Sequence, residues 1–308
     1  MKFIKQFASL AAFNSFTLDS NNTPNVSLIK DNYGLQYTKY ITPPHDYSQD
    51  YFTFEAIDDI DVLLYYKNSL YTDNPVGTMY YSVNEGSTWS EMDSVVSISA
   101  GNKIMFKGVA TECNGSSYTF DLSDGDGGII QGRFNVEGNI MSVIYGDDFK
   151  GQTSFPEGDW SYIFSIFFYD QSNLINASNL ILPVTTLDFH CYSYMFNGCT
   201  SLTTAPELPA TTLATGCYSY MFNGCTSLTT APELPATTLL DNCYQGMFNG
   251  CTLLNYVKCL ATNISANQST EDWVTNVASS GTFVKNSSMS SWPEGDNGIP
   301  SGWDVQNA

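Results

Sequence analysis

The feature that most constrains this chain is an internal repeat. Residues 191–213 read CYSYMFNGCTSLTTAPELPATTL, and all 23 recur unchanged at 217–239. A third copy begins at Cys243 as CYQGMFNGCTLLNYVKCLAT, which sets the period at 26 residues. A degenerate copy over about 163–190 precedes them, with two extra residues before Leu182-Pro183. In that copy Ile163 stands in the column of Cys191, and Gln171 in the column of Cys199. The exchange of Ile for Cys marks the first column as apolar, whereas the second tolerates a polar residue. A unit of this length cannot bury its apolar face alone, so successive units must stack and share one core.

Within a unit, the spacing predicts a short helix with Cys191, Met195 and Gly198 on one face, ended by Asn197-Gly198. Leu202 then opens an extended segment that Pro206 and Pro209 cut short. A period in this range with regular Leu and Cys columns is that of a leucine-rich-repeat solenoid. The MFNGCTSLTTAPELP pattern resembles the BspA-type (Treponema-like) leucine-rich repeats of Bacteroidales surface proteins, over about 163–262. That resemblance implies adhesion or interaction without catalysis. The closing segment, from TEDWVTNVASSGTFVKN to SSWPEGDNGIPSGWDVQNA, resembles the C-terminal cap of such arrays. Trp273, Val274, Phe283, Val284, Trp292 and Trp303 are expected to cover the last unit.

Seven of the eight cysteines (191, 199, 217, 225, 243, 251 and 259) fall at matching positions of successive copies, and Cys113 lies apart. Recurrence in apolar columns favours buried free thiols over disulfides, although the even number leaves pairing open. No C-x-x-C pair occurs, and the two histidines, His45 and His190, lack ligand spacing, so no metal and no cofactor are expected.

Residues 50–145 alternate with period two, in the runs 51–56, 61–67, 78–83, 94–99, 103–108, 117–121, 133–136 and 139–145. Turn signals separate them, among them Asn84-Glu85-Gly86 and Glu137-Gly138-Asn139. Short strands at this spacing predict a β-sandwich, Ig-like in broad shape. YYSVNEGSTWSEM and VVSISAGNKIMFKG resemble the β-domain often found before these repeats. The last run, NIMSVIYGDDF, is expected to turn into the first unit as a strand.

At the N-terminus, FIKQFASLAAFNSF predicts an amphipathic helix with Phe7, Leu10 and Phe13 on one face. PNVSLIKDNYGLQY predicts two short strands about an Asp-Asn-Tyr-Gly turn. Together, over about 1–42, they resemble an N-terminal module in virion proteins of crAss-like and other Bacteroidales phages. That resemblance implies an attachment element, with Phe3, Phe7, Leu10, Phe13, Val26 and Leu28 meeting a capsid or tail protein. The alternative is a small helix-plus-hairpin packed on the sandwich. Gln6 and Ser9 interrupt the apolar run a signal peptide needs, and nothing reaches the ~18 consecutive apolar residues of a membrane span. The predicted fold class is therefore multidomain α+β. It comprises an α/β attachment module (1–45), an Ig-like β-sandwich (46–145), a leucine-rich-repeat solenoid (146–268) and a cap (269–308).

Charge narrows the partners. Against 31 Asp and Glu stand 11 Lys and Arg, a net charge of -20, with Arg133 the one arginine. Phosphate backbones and anionic membranes need clustered cations, so neither nucleic acid nor a membrane surface is an expected partner. No nucleophile, P-loop or kinase motif appears, and no enzyme is expected. Asp121, Asp124 and Asp126 could hold a weak calcium ion, but a Gly/Asp-rich turn explains them equally. Residues 151–257 contain no Lys or Arg. Tyr192, Tyr218, Tyr244, Thr204, Thr230, Glu207 and Glu233 recur unit by unit and are the candidate ligand contacts. Neutral hydroxyls and aromatic rings suit a glycan or a host-surface protein. The competing view is a soluble Thr/Ser surface with Tyr partly buried between units. The reading is a non-catalytic phage surface protein, such as a head fibre, decoration or tail-associated protein, with homo-oligomerisation left open. A BspA-like bacterial cell-surface adhesin is the alternative.

Overall fold

The computed structural model describes residues 3–7, 26–29 and 37–41 by their backbone, and 45–66, 77–110, 119–125, 128–289 and 292–308 in full. The chain divides into two units, 1–46 and 47–308.

In the first unit, β1 (Phe3–Phe7), β2 (Val26–Ile29) and β3 (Tyr37–Ile41) form an antiparallel sheet in the order β1-β3-β2. Val26–Ile29 is a strand as expected and pairs with Tyr37–Ile41, Val26 lying opposite Ile41, while the expected Asp-Asn-Tyr-Gly turn lies outside the described residues. The helix expected at the N-terminus is overturned over Phe3–Phe7, which pairs with Tyr37–Ile41. Phenylalanines four apart lie on one face of a helix and on one face of a strand alike, and pairing decides between them. The rest of that helix, with Leu10 and Phe13, lies outside the described residues.

The second unit begins with the strands β4 (Phe52–Ala56), β5 (Ile60–Tyr66), β6 (Gly77–Ser82), β7 (Ser90–Glu91), β8 (Val96–Ile98), β9 (Lys103–Ala110), β10 (Phe120–Ser123) and β11 (Phe134–Asn139). Alternation drives them: along β5 the buried positions are Ile60, Val62, Leu64 and Tyr66. The expected strand over 139–145 is instead a turn followed by the one-turn helix α1 (Ser142–Tyr145). Ile140 through Ile144 are all buried, which no two-sided strand with one wet face allows. The Ser142 hydroxyl fixes the turn, accepting from the Phe52 N–H at 3.0 Å and donating to the Phe106 carbonyl at 2.8 Å.

Strand β12 (Leu174–Ile181), from the first repeat unit, pairs parallel with β11. It joins a six-stranded sheet in the order β12-β11-β4-β9-β6-β7, accompanied by a sheet β10-β5-β8. The large sheet is thus mixed, where an Ig-like sandwich is antiparallel throughout. Phe120 stacks on Phe164 of the first repeat unit at 5.5 Å and 5°. The strand region and the repeats therefore share one core.

The multidomain α+β class with a leucine-rich-repeat solenoid is overturned. The chain is mostly β, with 29% strand and 5% helix, and no leucine-rich-repeat solenoid is seen among the described residues. The segments expected to be helical, such as that holding Cys191 and Met195, are runs of consecutive turns. Their hydrogen bonds explain why. Tyr162, Phe164, Ile166, Phe168 and Asp170 donate N–H groups to carbonyls of the next unit, at 2.7–3.0 Å. The intervening Ile163, Ser165, Phe167 and Tyr169 donate to the carbonyl three residues back. A helix would keep all of these bonds to itself; here half of them tie one unit to the next.

Between units the side chains stack in register. Phe164, Tyr192, Tyr218 and Tyr244 form one buried column, with centroids 5.7–6.2 Å apart. Phe168, Phe196, Phe222 and Phe248 form a second, at 5.1–5.8 Å. Trp273 ends the tyrosine column and carries Trp292 at 5.6 Å. Its indole N–H reaches the Gly298 carbonyl, and that of Trp303 reaches Ala278. A parallel sheet of β13 (Tyr256–Cys259), β14 (Thr282–Lys285) and β15 (Asp304–Asn307) buries Phe283 and Val284 beside them.

The seven repeat cysteines are unpaired and buried. Cys199, Cys225 and Cys251 each donate S–H to a carbonyl of the preceding unit, at Phe168, Phe196 and Phe222, 3.0–3.1 Å away. In the degenerate unit Gln171 takes this column and bonds the Ile130 N–H at 3.1 Å, so the column is polar by function. Burial pushes the thiols of Cys243, Cys251 and Cys259 up to about 12. The seven thiols are expected to resist iodoacetamide at pH 8 in the folded chain and to react in denaturant, as read by mass increments; prompt labelling of the folded chain would contradict this packing. Phe222→Ala opens a cavity within a continuous column and is expected to cost about 3–5 kcal/mol in urea unfolding.

Candidate ligand groove

Each run of turns places every fourth residue at positive φ: Tyr162 (61°), Ile166 (57°) and Asp170 (57°) in the first unit, His190 (51°) and Tyr194 (57°) in the second. Ordinary side chains adopt this region at a cost of about 1–3 kcal/mol, and glycine adopts it freely. In the same columns stand Gly216 (63°) and Gly246 (59°), so the backbone path itself asks for no side chain there.

These residues bound a groove of about 450 Å³. One wall is Tyr162 stacked on His190, with centroids 5.1 Å apart and planes 7° apart. The other is Ile166 followed by Tyr194, and Tyr194 stacks on Tyr220 at 4.9 Å and 15°. The hydroxyls of Ser165 and Ser193 line it as well, bonded to each other at 2.9 Å, and Ser193 donates to the His190 carbonyl. Tyr169 completes the rim and is 45% exposed. The far faces of His190 and Tyr220 lie over Gly216 and Gly246, where an added Cβ would strike the rings. Both faces of His190 and of Tyr220, and one face each of Tyr162 and Tyr194, are therefore taken up within the columns.

Burial holds the His190 imidazole below its ordinary value. It raises the Tyr194 phenol, with the neighbouring Tyr220 and Tyr169 adding to the rise. At neutral pH the lining is thus uncharged.

A second hollow, of about 290 Å³, lies among Tyr80, Trp89, Lys107, Val109 and Asp147. Its charges are spent on each other. The Lys107 ammonium sits 4.5 Å from the Trp89 ring centroid and 2.8 Å from Asp147, which also accepts from Tyr51 at 2.6 Å. Those two hydrogen bonds hold the Asp147 carboxyl below the usual range, Lys107 being the larger cause.

The structure disposes the sequence candidates differently from expectation. Tyr192, Tyr218 and Tyr244 are at most 2% exposed and form the core column, so they cannot meet a ligand. Thr204, Thr230, Glu207 and Glu233 are exposed. Thr204 bridges Asn176, Thr230 bridges Tyr256, and Glu233 pairs with Lys258 at 2.8 Å. None of the seven lines the groove. Of the attachment candidates, Phe3, Phe7, Val26 and Leu28 lie on strands, and Leu10 and Phe13 lie outside the described residues. Asp124 accepts the Gly128 N–H at 3.0 Å as a turn residue, while Asp126 is outside the described residues. No group of three or more His, Cys, Asp and Glu is placed to hold a metal among the described residues. Among them, too, no helix is long and apolar enough to cross a membrane.

Sequence reasoning missed Tyr162, His190, Tyr194 and Tyr220. The signal was present: a column that holds Gly in one copy and an aromatic in another marks a positive-φ position projecting from the core. Comparison with known proteins returned no matching family model, no matching curated protein and no matching solved structure.

Because His190 is depressed in the folded chain, its neutral form contributes stability in full above the unfolded value of about 6.5. That contribution is lost as pH falls from there through the folded value. The urea midpoint is expected to drop over this window, and His190→Asn to flatten the drop; Asn242 already occupies the same column at φ 57°. An identical fall in both proteins would assign the pH response to other groups.

Proposed function

We propose that this chain is a non-catalytic display protein of a phage virion surface, as a head fibre, decoration or tail-associated protein, and that its stacked units adhere to host-surface or gut glycans or proteins. The observation that carries adhesion is the uncharged groove of Tyr162, His190, Tyr194 and the Ser165–Ser193 pair, open on a rigid stack. A glycoside hydrolase would need two carboxylates facing each other across a cleft; this lining has none. The virion part rests on the resemblance of residues 1–42 to the phage N-terminal module, which makes the first unit the attachment to a capsid or tail protein. Many anchored copies multiply a weak single-site affinity. A net charge of -20 suppresses nonspecific sticking to acidic surfaces.

The bacterial adhesin reading shares the adhesive task and differs in the anchor; the likeness of MFNGCTSLTTAPELP to BspA-type repeats favours it. Quantifying the chain by mass spectrometry in purified particles and in bacterial outer membranes separates the two. Recovery with particles is expected, and recovery in membranes alone would leave the cellular adhesin. Adsorption of the full chain to host cells is expected to fall when Tyr194→Asn and Tyr220→Asn are combined. Undiminished adsorption would remove the groove from the adhesive surface.

A further inference from the structure

We infer that the groove takes an uncharged oligosaccharide lying along the stack, with successive sugar rings meeting successive repeat units. This deepens the adhesion reading and rests on it.

Three observations lead there. The first is direction. The walls run from unit to unit, and their rings repeat at 5.1 Å (Tyr162 to His190) and 4.9 Å (Tyr194 to Tyr220), the spacing the interunit backbone bonds impose. A linear ligand along this axis meets a similar set of groups at each step, and an extended pyranose chain advances by about one such step per ring.

The second is chemistry. Stacking closes both faces of His190 and one face each of Tyr162 and Tyr194, which leaves their edges available to a ligand, and aromatic edges carry the positive end of the quadrupole. Phenol hydroxyls from Tyr162, Tyr169 and Tyr194 and the serine hydroxyls add donors and acceptors. Such a lining suits a neutral, oxygen-rich polyol. It offers no cation to a sulfate or uronate, since 151–257 contain no Lys or Arg, and the overall charge of -20 repels anions at range.

The third is where side chains appear. Tyr162, Ile166, His190, Tyr194 and Tyr220 all sit at φ 51–61°, a conformation that favours glycine. Just past this segment the same columns hold Gly216 and Gly246, followed by the polar Asn242, Gln268 and Asp272. Aromatic and aliphatic side chains at these positions gather at the groove and its walls, whereas the other positive-φ positions of the stack hold glycine or a polar residue such as Asn242, Gln268 or Asp272.

The test uses the full chain as a monovalent titrant in calorimetry. The probes are neutral β-linked glucose, galactose, mannose and N-acetylglucosamine oligomers of increasing length, beside their sulfated or uronate counterparts. Affinity for at least one neutral series is expected to rise with chain length until the groove is filled and then to level off. Tyr194→Phe removes a hydroxyl and keeps the ring, and is expected to weaken binding by up to roughly tenfold. Tyr218→Phe, in the buried column, is expected to leave affinity unchanged. Tighter binding of the charged counterparts, affinity independent of length, or equal effects of the two variants would overturn the inference while leaving adhesion standing. Failure of every glycan, with host-cell adsorption still lost in the Tyr194→Asn, Tyr220→Asn chain, would assign the groove to a protein ligand. Loss of neither would sink the adhesion reading itself.

Discussion

Everything in the larger unit depends on one backbone arrangement: alternate N–H groups along each run of turns are committed to the next unit. Tyr192 donates to Cys217, Tyr218 to Cys243 and Tyr244 to Ser269, so a lone unit would leave these donors and the matching acceptors without partners. The same bonds hold neighbouring units at strand-like spacing, and that spacing brings Phe196 over Phe222 and Phe222 over Phe248 with planes 4° and 2° apart. Order in the backbone and order in the core are thus one constraint seen twice. It also requires closure at both ends. Phe120 and the sheet through β12 cover the first unit, and Trp273 with Trp292 covers the last.

That constraint shapes the surface as well. Turns that send alternate N–H groups sideways need a positive φ at every fourth residue, and the first side chain outside the core is carried there. Glycine is the unstrained choice. At Gly224 (74°) and Gly250 (78°) it is used, and the two backbones lie in close contact, 3.6 Å from an added Cβ. At Tyr194 and Tyr220 it is not. Asn242, Gln268, Asp272 and Asn276 depart from glycine with polar side chains, while the aromatic and aliphatic departures gather at the groove and its walls, and such local conflicts gather at functional sites.

The period, the columns and the apolar role of the first cysteine column were legible in the sequence, because a verbatim copy offset by 26 residues forces stacking whatever the local path. The path was not legible. Cys191, Met195 and Gly198 fit one helical face, and nothing local distinguishes a helix from turns whose bonds go to the next unit. Strands of the β region such as Ile60–Tyr66 could be read from alternation. The helix at Ser142–Tyr145 could not, since Ile140-Met141-Ser142-Val143-Ile144 is buried throughout and carries no period. For the site the error was specific. Tyr192 recurs in three units as Tyr218 and Tyr244, whereas Tyr194 recurs only as Tyr220 and then gives way to Gly246, so recurrence alone points to the wrong tyrosine. In turns with a four-residue period Tyr192 and Tyr194 face opposite ways, one into the core and one toward the groove.

Two units of identical sequence raise a question that packing answers. The face that Cys191–Leu213 presents to Cys217–Leu239 is the face that Cys217–Leu239 presents to the next copy, so the contact is self-complementary and can be iterated without new interfaces. Interruption of the stack is tolerated only at its ends, where Phe164 and Trp273 replace tyrosine in the buried column. Variation that preserves folding is then confined to the outward columns, where His190 faces Gly216 and Tyr220 faces Gly246. A stack of this kind separates its tasks: the inner columns fix the scaffold, and the outward column can change a ligand surface one residue at a time without disturbing the core beneath it.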